Sequence, residues 1–376
     1  MIVPLMYSDQ QTAAYEEIIV DQTPMIDVRS PVEFKAGSVP SAVNIALLDD
    51  DERHQVGVTY RNKGKEEAFR VANNLVDESK QHMLSEIWCA YLQRYPDAVV
   101  YCARGGMRSE TAARWIYQQS GTQVSRIEGG YKAMRTYMLS RLEPATIASK
   151  PVLRGGRTGS GKTRLLNSLA NSIDLEALAN HRGSTFGRFT TPQPGQADFE
   201  NRLSAALIKH CRGDHSHLLL EDEGRHVGSR YLPKELSEFF LSGDLVVLEI
   251  DFEERVENIY QEYVIEAQNR RGDLTGKADP TQRMWHWFEE MNHSLSRIAK
   301  RLGASRYEEV RALLESGCYH QKANGDPKAH KHWIRLLLRH YYDPMYDYQL
   351  KKRGKTPVLS GRENIILQYL RSLNNR

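Results

Sequence analysis

Cysteine is scarce in this chain, with four among 376 residues. The four thiols, at positions 89, 102, 211 and 318, lie far apart and form no Cys-x-x-Cys pair. So few cysteines exclude the disulfide framework typical of small secreted domains. Their spacing also disfavours a structural zinc site, and we predict no resident metal site, with Mg²⁺ considered below only as the companion of a bound phosphate.

Long hydrophobic runs are also missing. No stretch of about 18 apolar residues occurs, so we expect no membrane span. Residues 1–10 lack a basic segment followed by an apolar one, so we expect no secretory signal and a cytoplasmic protein. Apolar residues make up 40% of the chain and charged residues 26%, which excludes a disordered polyelectrolyte.

The net charge of the chain is only +3, yet its basic residues are concentrated at one end. Residues 298–376 contain 16 Lys and Arg against 7 Asp and Glu, whereas the preceding residues carry a net charge of −6. The densest basic cluster lies beside Tyr346 and Tyr348 and consists of Lys351, Lys352, Arg353 and Lys355. Basic side chains with aromatic neighbours are typical of RNA contacts, and an ordinary solvated surface is the alternative.

Two α/β patterns follow one another along the chain. Short apolar runs such as 25–28 and 98–101 alternate with helical patterns over the first 140 residues, which is typical of a parallel sheet. A new strand-like run at 151–153 opens a second pattern, with partner strands predicted at 218–220 and 245–250. We predict a first domain over 12–141, a linker over 142–150, a second domain over 151–297 and a basic, helical region over 298–376.

One cysteine stands in chemically distinctive surroundings. Cys102 directly follows an apolar run, and the next residues include Arg104, two glycines and Arg108 before a helical pattern begins. The amide groups at a helix N-terminus and the two cations favour a thiolate over a thiol, and the thiolate is the nucleophilic form. We therefore predict that Cys102, Arg104 and Arg108 form a catalytic loop.

The flanks of this loop resemble those of rhodanese domains. Residues 26–34 (IDVRSPVEF) resemble the opening signature of that family, and 127–131 (IEGGY) its closing signature. The resemblance implies a cysteine that carries sulfur or selenium as a persulfide or perselenide. Five residues separate Cys102 from Arg108, where the common sulfurtransferase loop has four. This wider spacing also matches thiol-dependent phosphatases, so the loop by itself leaves both chemistries open.

A second motif predicts a phosphate-binding loop. Residues 156–163 (GRTGSGKT) fit the pattern G-x-x-x-x-G-K-[ST] between a strand and a helix. Backbone amides around Gly156, Gly159 and Gly161 would surround phosphate oxygens, Lys162 would add a positive charge, and the Thr163 hydroxyl would reach Mg²⁺. The pattern does not distinguish ATP, GTP or the diphosphate of another substrate.

An acidic turn follows the predicted strand at 218–220. Glu221 and Asp222 are candidates for a metal-facing element of the phosphate site, with Mg²⁺ as the ion such a site would take. Acidic residues also follow many strands at the surface, so this interpretation depends on the phosphate loop being close.

The order of the parts resembles the tRNA 2-selenouridine synthase family over essentially the whole chain. Further stretches carry the resemblance, namely 44–57, 102–109, 181–184 (HRGS), 221–223 (EDE) and 341–346 (YYDPMY). It implies an α/β fold class with an N-terminal rhodanese-like parallel-sheet domain, a central P-loop α/β domain and a helical C-terminal region. It also implies a transferase that replaces the sulfur of wobble 2-thiouridine in tRNA by selenium.

The same resemblance implies the substrates and a role for each motif. Geranyl diphosphate would first alkylate the thiouridine sulfur, and selenophosphate would then supply selenium as thiogeraniol leaves. Cys102 would carry selenium as S-selanylcysteine, no tightly bound cofactor would be needed, and the partners would be tRNA and a supplier of selenophosphate. The competing interpretation is an ATP-dependent phosphotransferase joined to a rhodanese- or phosphatase-like regulatory domain. An RNA-binding module without catalysis ranks third.

Overall fold

The structure, a computed structural model, describes residues 12–161, 169–187, 191–275 and 279–374. The chain forms two compact units. The first contains the described residues up to Ile147 together with Pro194–Gly213, and the second contains Ala148–Gln193 together with the residues from Asp214 onward.

The first unit is built on a parallel sheet of three strands. These are β1 (Met25–Asp27), β2 (Ala42–Asn44) and β3 (Val99–Tyr101), in the order β2-β1-β3. The runs predicted at 25–28 and 98–101 contain β1 and β3. The helices of this unit are Thr12–Val20, Pro31–Ala36, Asp50–Leu75, Glu78–Arg94, Met107–Ser120, Gly130–Ser140 and Gln196–Arg212, with a 3₁₀ turn at Pro144–Thr146.

Both faces of this sheet are buried, because successive strand residues point to opposite sides. Ile26 and Val100 pack on one side against Trp88. Met25 and Tyr101 pack on the other side against residues of helix Gly130–Ser140. Parallel strands that are covered on both faces consist of continuous apolar residues, and this explains why β1 and β3 could be predicted from the sequence.

Helix Gln196–Arg212 belongs to the first unit, although the sequence analysis placed these residues inside the second domain. Phe199, Leu203 and Leu207 form one fully buried stripe along it. The helix also bonds its neighbours, since the Ser204 hydroxyl donates to the Met138 carbonyl at 2.6 Å. Its periodicity predicts an amphipathic helix but does not identify the surface that the stripe covers.

The second unit contains a parallel sheet of five strands. The strands are β4 (Lys150–Gly156), β5 (Ser172–Ile173), β6 (His217–Glu221), β9 (Asp244–Leu248) and β10 (Leu359–Gly361). Their order across the sheet is β10-β9-β4-β6-β5. A separate hairpin joins β7 (His226–Val227) to β8 (Arg230–Tyr231). The three predicted strands overlap β4, β6 and β9. Strand β10 was not predicted, because it is a three-residue strand within a region dominated by helical patterns.

Helices cover the sheet of the second unit and continue into a helical region with its own core around Trp287, Trp333 and Leu338. The α-helices are Leu175–Leu178, Lys234–Ser242, Phe252–Tyr260, Glu266–Thr275, Pro280–Ser296, Ala299–Leu302, Ala304–Asn324, Lys331–Leu337, Asp343–Arg353 and Glu363–Asn374. Two π-helical turns span Gln261–Ile265 and Leu338–Tyr342, and a 3₁₀ turn spans Pro327–His330. The predicted fold class is confirmed by these two α/β sheets and the helical C-terminal region.

Within the described ranges, no helix is both long enough and apolar enough to cross a membrane.

Candidate active sites

Cys102 lies at the carboxyl end of β3, where the strand gives way to a loop. Its side chain is 3% exposed. The sulfur lies 3.3 Å from the Ser109 hydroxyl and 3.8 Å from the Gly106 carbonyl oxygen. Helix Met107–Ser120 begins immediately after the loop, with Gly106 as its N-cap. The predicted arrangement of strand, cysteine loop and helix is therefore present.

The closing signature holds this loop in shape. The amides of Tyr131 and Lys132, in the first turn of helix Gly130–Ser140, donate to the carbonyls of Cys102 (2.9 Å) and Ala103 (3.0 Å). Gly130 has a φ of +58°, and a β-carbon there would collide with the Cys102 carbonyl oxygen. Only glycine permits this close approach at that backbone angle. The loop is thus fixed by backbone contacts before any ligand binds.

The opening signature contributes a buried ion pair behind the loop. Arg29 and Asp27 are 4% and 0% exposed, and their charged groups lie 2.6 Å apart. The Arg29 guanidinium also stacks on the ring of Tyr131, 3.8 Å from the ring centre. The two signatures therefore meet in space and support the same loop.

The two predicted catalytic arginines differ in their surroundings. Arg108 lies in the first turn of helix Met107–Ser120 and forms a two-pronged ion pair with Glu33, at 2.5 and 3.3 Å. Burial favours the neutral carboxyl of Glu33, but the hydrogen bond and charge of Arg108 outweigh it and lower the pKa to about 2. Arg104 is exposed in the loop and pairs with no side chain of the described ranges. Anion binding by Arg104 and Arg108 stays a prediction.

Sequence reasoning missed two neighbours of the thiol. A guanidinium nitrogen of Arg126 lies 3.4 Å from the Gly105 carbonyl and 3.5 Å from the Ser109 hydroxyl. Ser109 is fully buried and contacts the sulfur. The position of Ser109 directly after Arg108 was a usable signal, whereas Arg126 is brought near by an isolated parallel bridge between residues 126 and 100, which no local pattern predicts.

The phosphate loop begins at the end of β4, in the middle of the five-stranded sheet. Gly156, Gly159 and Gly161 all have positive φ angles, at +156°, +84° and +72°. A β-carbon on Gly159 would lie 2.7 Å from the Arg255 carbonyl, so the sharp loop needs glycine there. Lys162 and Thr163 lie outside the described residues, so their predicted roles stay predictions.

Residues far along the chain hold the described part of this loop. Arg255 donates to the Thr158 carbonyl and Asn258 to the Gly159 carbonyl, both at 2.9 Å. Arg255 also pairs with Asp343 at 2.5 and 3.1 Å. Asp343 belongs to the YYDPMY stretch, so that stretch supports the phosphate loop through Arg255.

The two residues of the acidic turn, Glu221 and Asp222, have different surroundings. Glu221 ends β6 and is 2% exposed, with its carboxylate 3.8 Å from the buried guanidinium of Arg154. Burial lowers the pKa of Arg154 to about 10, although Glu221 acts in the opposite direction. Asp222 instead lines the cleft above the phosphate loop and pairs with Arg353. Asp222 is therefore the member of the predicted pair placed to meet a ligand.

A cleft of about 920 Å³ opens beside the phosphate loop, within the second unit. Its volume falls in the range of small-molecule sites. Its charged lining contains both signs, and three of its cations form ion pairs with lining carboxylates: Arg182 with Glu262 and Arg270 with Glu266, both at 2.6 Å, and Arg353 with Asp222. The cations that line it are Arg182, Arg225, Arg270 and Arg353. Six carboxylates line the same cleft, so the case for a phosphorylated ligand depends on the glycine loop and not on an excess of positive charge.

The four cations of the predicted RNA-binding cluster differ in their contacts with the rest of the protein. Lys351 and Lys352 are exposed, whereas Arg353 is paired with Asp222. The Lys355 ammonium donates to the Leu241 carbonyl at 2.6 Å and also to the Gly243 carbonyl. Two of the four cations are thus engaged within the protein, and two are presented to solvent.

Within the described ranges, no group of three or more His, Cys, Asp or Glu side chains is arranged to hold a metal ion. The described part of the phosphate site offers Asp222, which already has Arg353 as a partner. Since Thr163 is not described, the predicted Mg²⁺ ion stays a prediction.

Comparisons with known proteins cover nearly the whole chain. A family model of the tRNA 2-selenouridine synthase AAA domain matches residues 149–376, and one of the rhodanese-like domain matches residues 11–136. A tRNA 2-selenouridine synthase of Sulfurovum sp. (strain NBC37-1) is 43% identical over 361 residues, which are 96% of this chain and 98% of that protein. One from Hydrogenovibrio crunogenus is 41% identical over 365 residues, again 96% and 98%.

These similarities run through both candidate sites, and they cover the cysteine loop, the phosphate loop and the helical region that supports it. With family models on both units and relatives matched almost end to end, the chain belongs to the tRNA 2-selenouridine synthase family of enzymes.

Proposed function

We propose that this enzyme replaces the sulfur of 2-thiouridine at the wobble position of tRNA by selenium, in two stages with two substrates. Geranyl diphosphate alkylates the sulfur at the phosphate loop, and selenium derived from selenophosphate then displaces the alkylated sulfur with the help of Cys102. The observation that carries this proposal is the presence, in one chain of this family, of a buried thiol in a rigid loop and a separate phosphate-type cleft.

The first stage suits the cleft of the second unit. The thiouridine sulfur attacks the first carbon of the geranyl group, the carbon–oxygen bond to diphosphate breaks, and the base loses its N3 proton. Negative charge grows on the departing diphosphate, so loop amides, Lys162 and the cleft arginines would stabilise the transition state. Alkylation turns the thiocarbonyl sulfur into a better leaving group for the second stage.

The second stage suits the loop of the first unit. The selenium of selenophosphate, held in the cysteine loop, attacks C2 of the base and the geranyl thiolate leaves, to be protonated as thiogeraniol. The Cys102 thiolate then attacks phosphorus, the selenium–phosphorus bond breaks to release the selenouridine, and water hydrolyses the phosphocysteine to free phosphate and restore Cys102. Arg104 and the loop amides would hold the anionic forms. Because selenium stays at the selenide level throughout, we expect turnover to need no added thiol reductant.

Mass spectrometry of tRNA nucleosides tests the two stages separately. Cys102→Ser should block formation of 2-selenouridine while S-geranyl-2-thiouridine still accumulates, because alkyl transfer requires no thiol. Cys211→Ser is the matched control, since Cys211 lies outside the loop and should be dispensable for both products. Full selenouridine formation by Cys102→Ser would refute the role of Cys102.

A second arm examines the phosphate loop and the competing phosphotransferase function. Lys162→Ala should abolish geranylation, while RNA supplied with S-geranyl-2-thiouridine is still converted to selenouridine. An obligatory requirement of the wild type for ATP, with no geranylated product, would instead support the phosphotransferase.

A further inference from the structure

An apolar recess adjoins the phosphate-loop cleft on the side of the helical region. Its wall is made almost entirely of carbon atoms, contributed by Phe186, Ile259, Trp333, Ile334, Leu337 and Leu338. Four other residues, Thr158, Ser184, Tyr263 and Tyr342, line both the recess and the cleft. The recess therefore opens toward the phosphate loop, because Thr158 is part of that loop.

The rim between the two spaces is polar but uncharged. The Ser184 and Tyr263 hydroxyls lie 3.3 Å apart. Burial raises the pKa of Tyr263 and of Tyr342 well above the usual tyrosine range, so both phenols stay neutral. Neutral aromatic rings attract positive charge through their faces. An allylic diphosphate develops positive charge on its first carbon as the carbon–oxygen bond breaks, and Tyr263 and Tyr342 line both the cleft and the recess between which that carbon would lie.

Both sides of the rim are formed by unusual backbone. Tyr263 lies in the π-helical turn Gln261–Ile265, and Tyr342 in the π-helical turn Leu338–Tyr342. A π turn inserts one extra residue into a helix and is found frequently at functional sites. Here the two turns bring their tyrosines to one opening, which an unbroken pair of α-helices would present differently.

The composition of the recess argues against a nucleotide base. A purine or pyrimidine buried there would leave its ring nitrogens and exocyclic groups without hydrogen-bond partners, which disfavours binding. A hydrocarbon chain has no such groups and gains by leaving water. The glycine-rich phosphate loop beside the recess suits a phosphate group at the other end of the same ligand.

We infer that this cleft and recess form one site for an allylic diphosphate ester, with the diphosphate on the phosphate loop and the apolar tail directed past Tyr263 and Tyr342 into the recess. This inference rests on the proposed function and assigns the residues that select the tail. The recess measures about 20 Å³, room for roughly one water molecule, so the tail enters by moving the side chains that line it. Leu337 and its neighbours thereby set the length of tail that is accepted.

Calorimetric titration of the full-length protein with four probes tests the inference. The probes are inorganic diphosphate and the five-, ten- and fifteen-carbon isoprenoid diphosphates. Leu337→Phe should weaken binding of the ten-carbon ester about tenfold or more and leave inorganic diphosphate unaffected. Leu336→Phe is the matched control, because Leu336 is the adjacent residue of the same helix and does not line the recess. It should change neither affinity.

A cavity-enlarging variant supplies a second, independent readout. Leu337→Ala should shift preference toward the fifteen-carbon ester relative to the ten-carbon ester, and circular dichroism would check the fold of each variant. Equal effects of Leu337→Phe and Leu336→Phe, together with no shift in Leu337→Ala, would overturn the recess assignment. Wild-type protein that binds inorganic diphosphate but forms no geranylated tRNA would instead count against the proposed function itself.

Discussion

The carboxylate of Glu33 lies 2.5 Å from the guanidinium of Arg108 and joins the opening rhodanese signature to the helix after the cysteine loop. We expect Glu33→Gln to lower the free energy of unfolding by about 1.5–3 kcal/mol at pH 7, the range for hydrogen bonds to charged groups. Because the pKa of Glu33 falls from 4.5 to about 2, its contribution is complete above pH 4.5 and declines as the pH falls toward 2. Denaturant unfolding between pH 7 and 3 measures this.

The matched control is Glu110→Gln, which removes an exposed carboxylate from the same helix as Arg108. It should change stability by less than about 0.5 kcal/mol. If the two variants lose the same free energy of unfolding at pH 7, the ion pair with Arg108 contributes no more to stability than an exposed carboxylate does.

Ser109 offers a prediction about the reactivity of the thiol. Its hydroxyl lies 3.3 Å from the Cys102 sulfur and also donates to the Gly106 carbonyl at 3.0 Å, so it can rotate to donate to a thiolate. Ser109→Ala should slow alkylation of Cys102 by iodoacetamide about tenfold at neutral pH, because a hydrogen bond to the charged form is lost. Peptide mass spectrometry would follow Cys102 separately from the other thiols. Unchanged alkylation of Cys102, with the other thiols also unchanged, would contradict this role.

Arg255 links the helical region to the phosphate loop and should matter for ligand binding. Lysine at this position keeps the charge but cannot hold both Thr158 and Asp343 in the same planar arrangement. We expect Arg255→Lys to weaken binding of inorganic diphosphate about tenfold. Arg335→Lys is the control, since Arg335 makes an exposed ion pair with Glu253 that should contribute little. Equal diphosphate affinity in both variants would show that the loop holds its shape without Arg255.

Local sequence patterns predicted those parts of the fold and the site that are formed by residues close together in the chain. The strand, loop and helix around Cys102 and the glycines of the phosphate loop follow from residues next to each other in the chain, so they were visible without a structure. The central strands were equally visible, because strands buried on both faces are continuously apolar.

Contacts between distant residues were the part that sequence reasoning missed. Arg255 and Asp343 are 88 residues apart, and Glu33 and Arg108 are 75 apart, so no spacing rule links them. The periodicity of an amphipathic stripe does not identify the surface that the stripe covers, so nothing in the sequence indicated that helix Gln196–Arg212 packs within the first unit. The charge run at 351–355 looked uniform, and only the fold separates its engaged members from its exposed ones.

His330 predicts a pH dependence of stability in the helical region. It is fully buried, with Nδ1 accepting from the Trp333 indole and Nε2 facing the Gln321 side-chain oxygen, each at 3.1 Å. A second proton would place two donors face to face, and burial lowers the pKa from 6.5 to about 4. The unfolded chain therefore binds the proton first, so stability is complete above pH 6.5 and falls as the pH drops toward 4, by at most about 3 kcal/mol.

Denaturant unfolding from pH 7.5 to 4 would measure this loss in the wild type and in two variants. His330→Gln should have lower stability at pH 7 and a flatter profile, whereas His332→Gln, which changes an exposed histidine two residues away, should retain the wild-type slope. Identical slopes in all three proteins would exclude His330 as the titrating group.

The exposed pair Lys351 and Lys352 leads to a prediction about tRNA. Phosphate contacts release counterions, so each contact contributes a slope of about −0.7 to the dependence of log affinity on log salt for single-stranded RNA. Replacing both lysines by glutamine should therefore weaken tRNA binding and make that slope shallower by up to about 1.4. The exposed ring of Tyr348 lies on the same helix and is available to stack on a base.

A matched double variant distinguishes a specific contribution of Lys351 and Lys352 from an effect of the net positive charge of the region. Lys300→Gln with Arg301→Gln removes two exposed cations from another helix of the same basic region and should change the slope less. Labelled tRNA titrated at several salt concentrations gives both slopes, and inorganic diphosphate serves as a check on the cleft. Equal slopes for the two double variants would show that tRNA responds to the net charge of the region, and that Lys351 and Lys352 are ordinary surface residues.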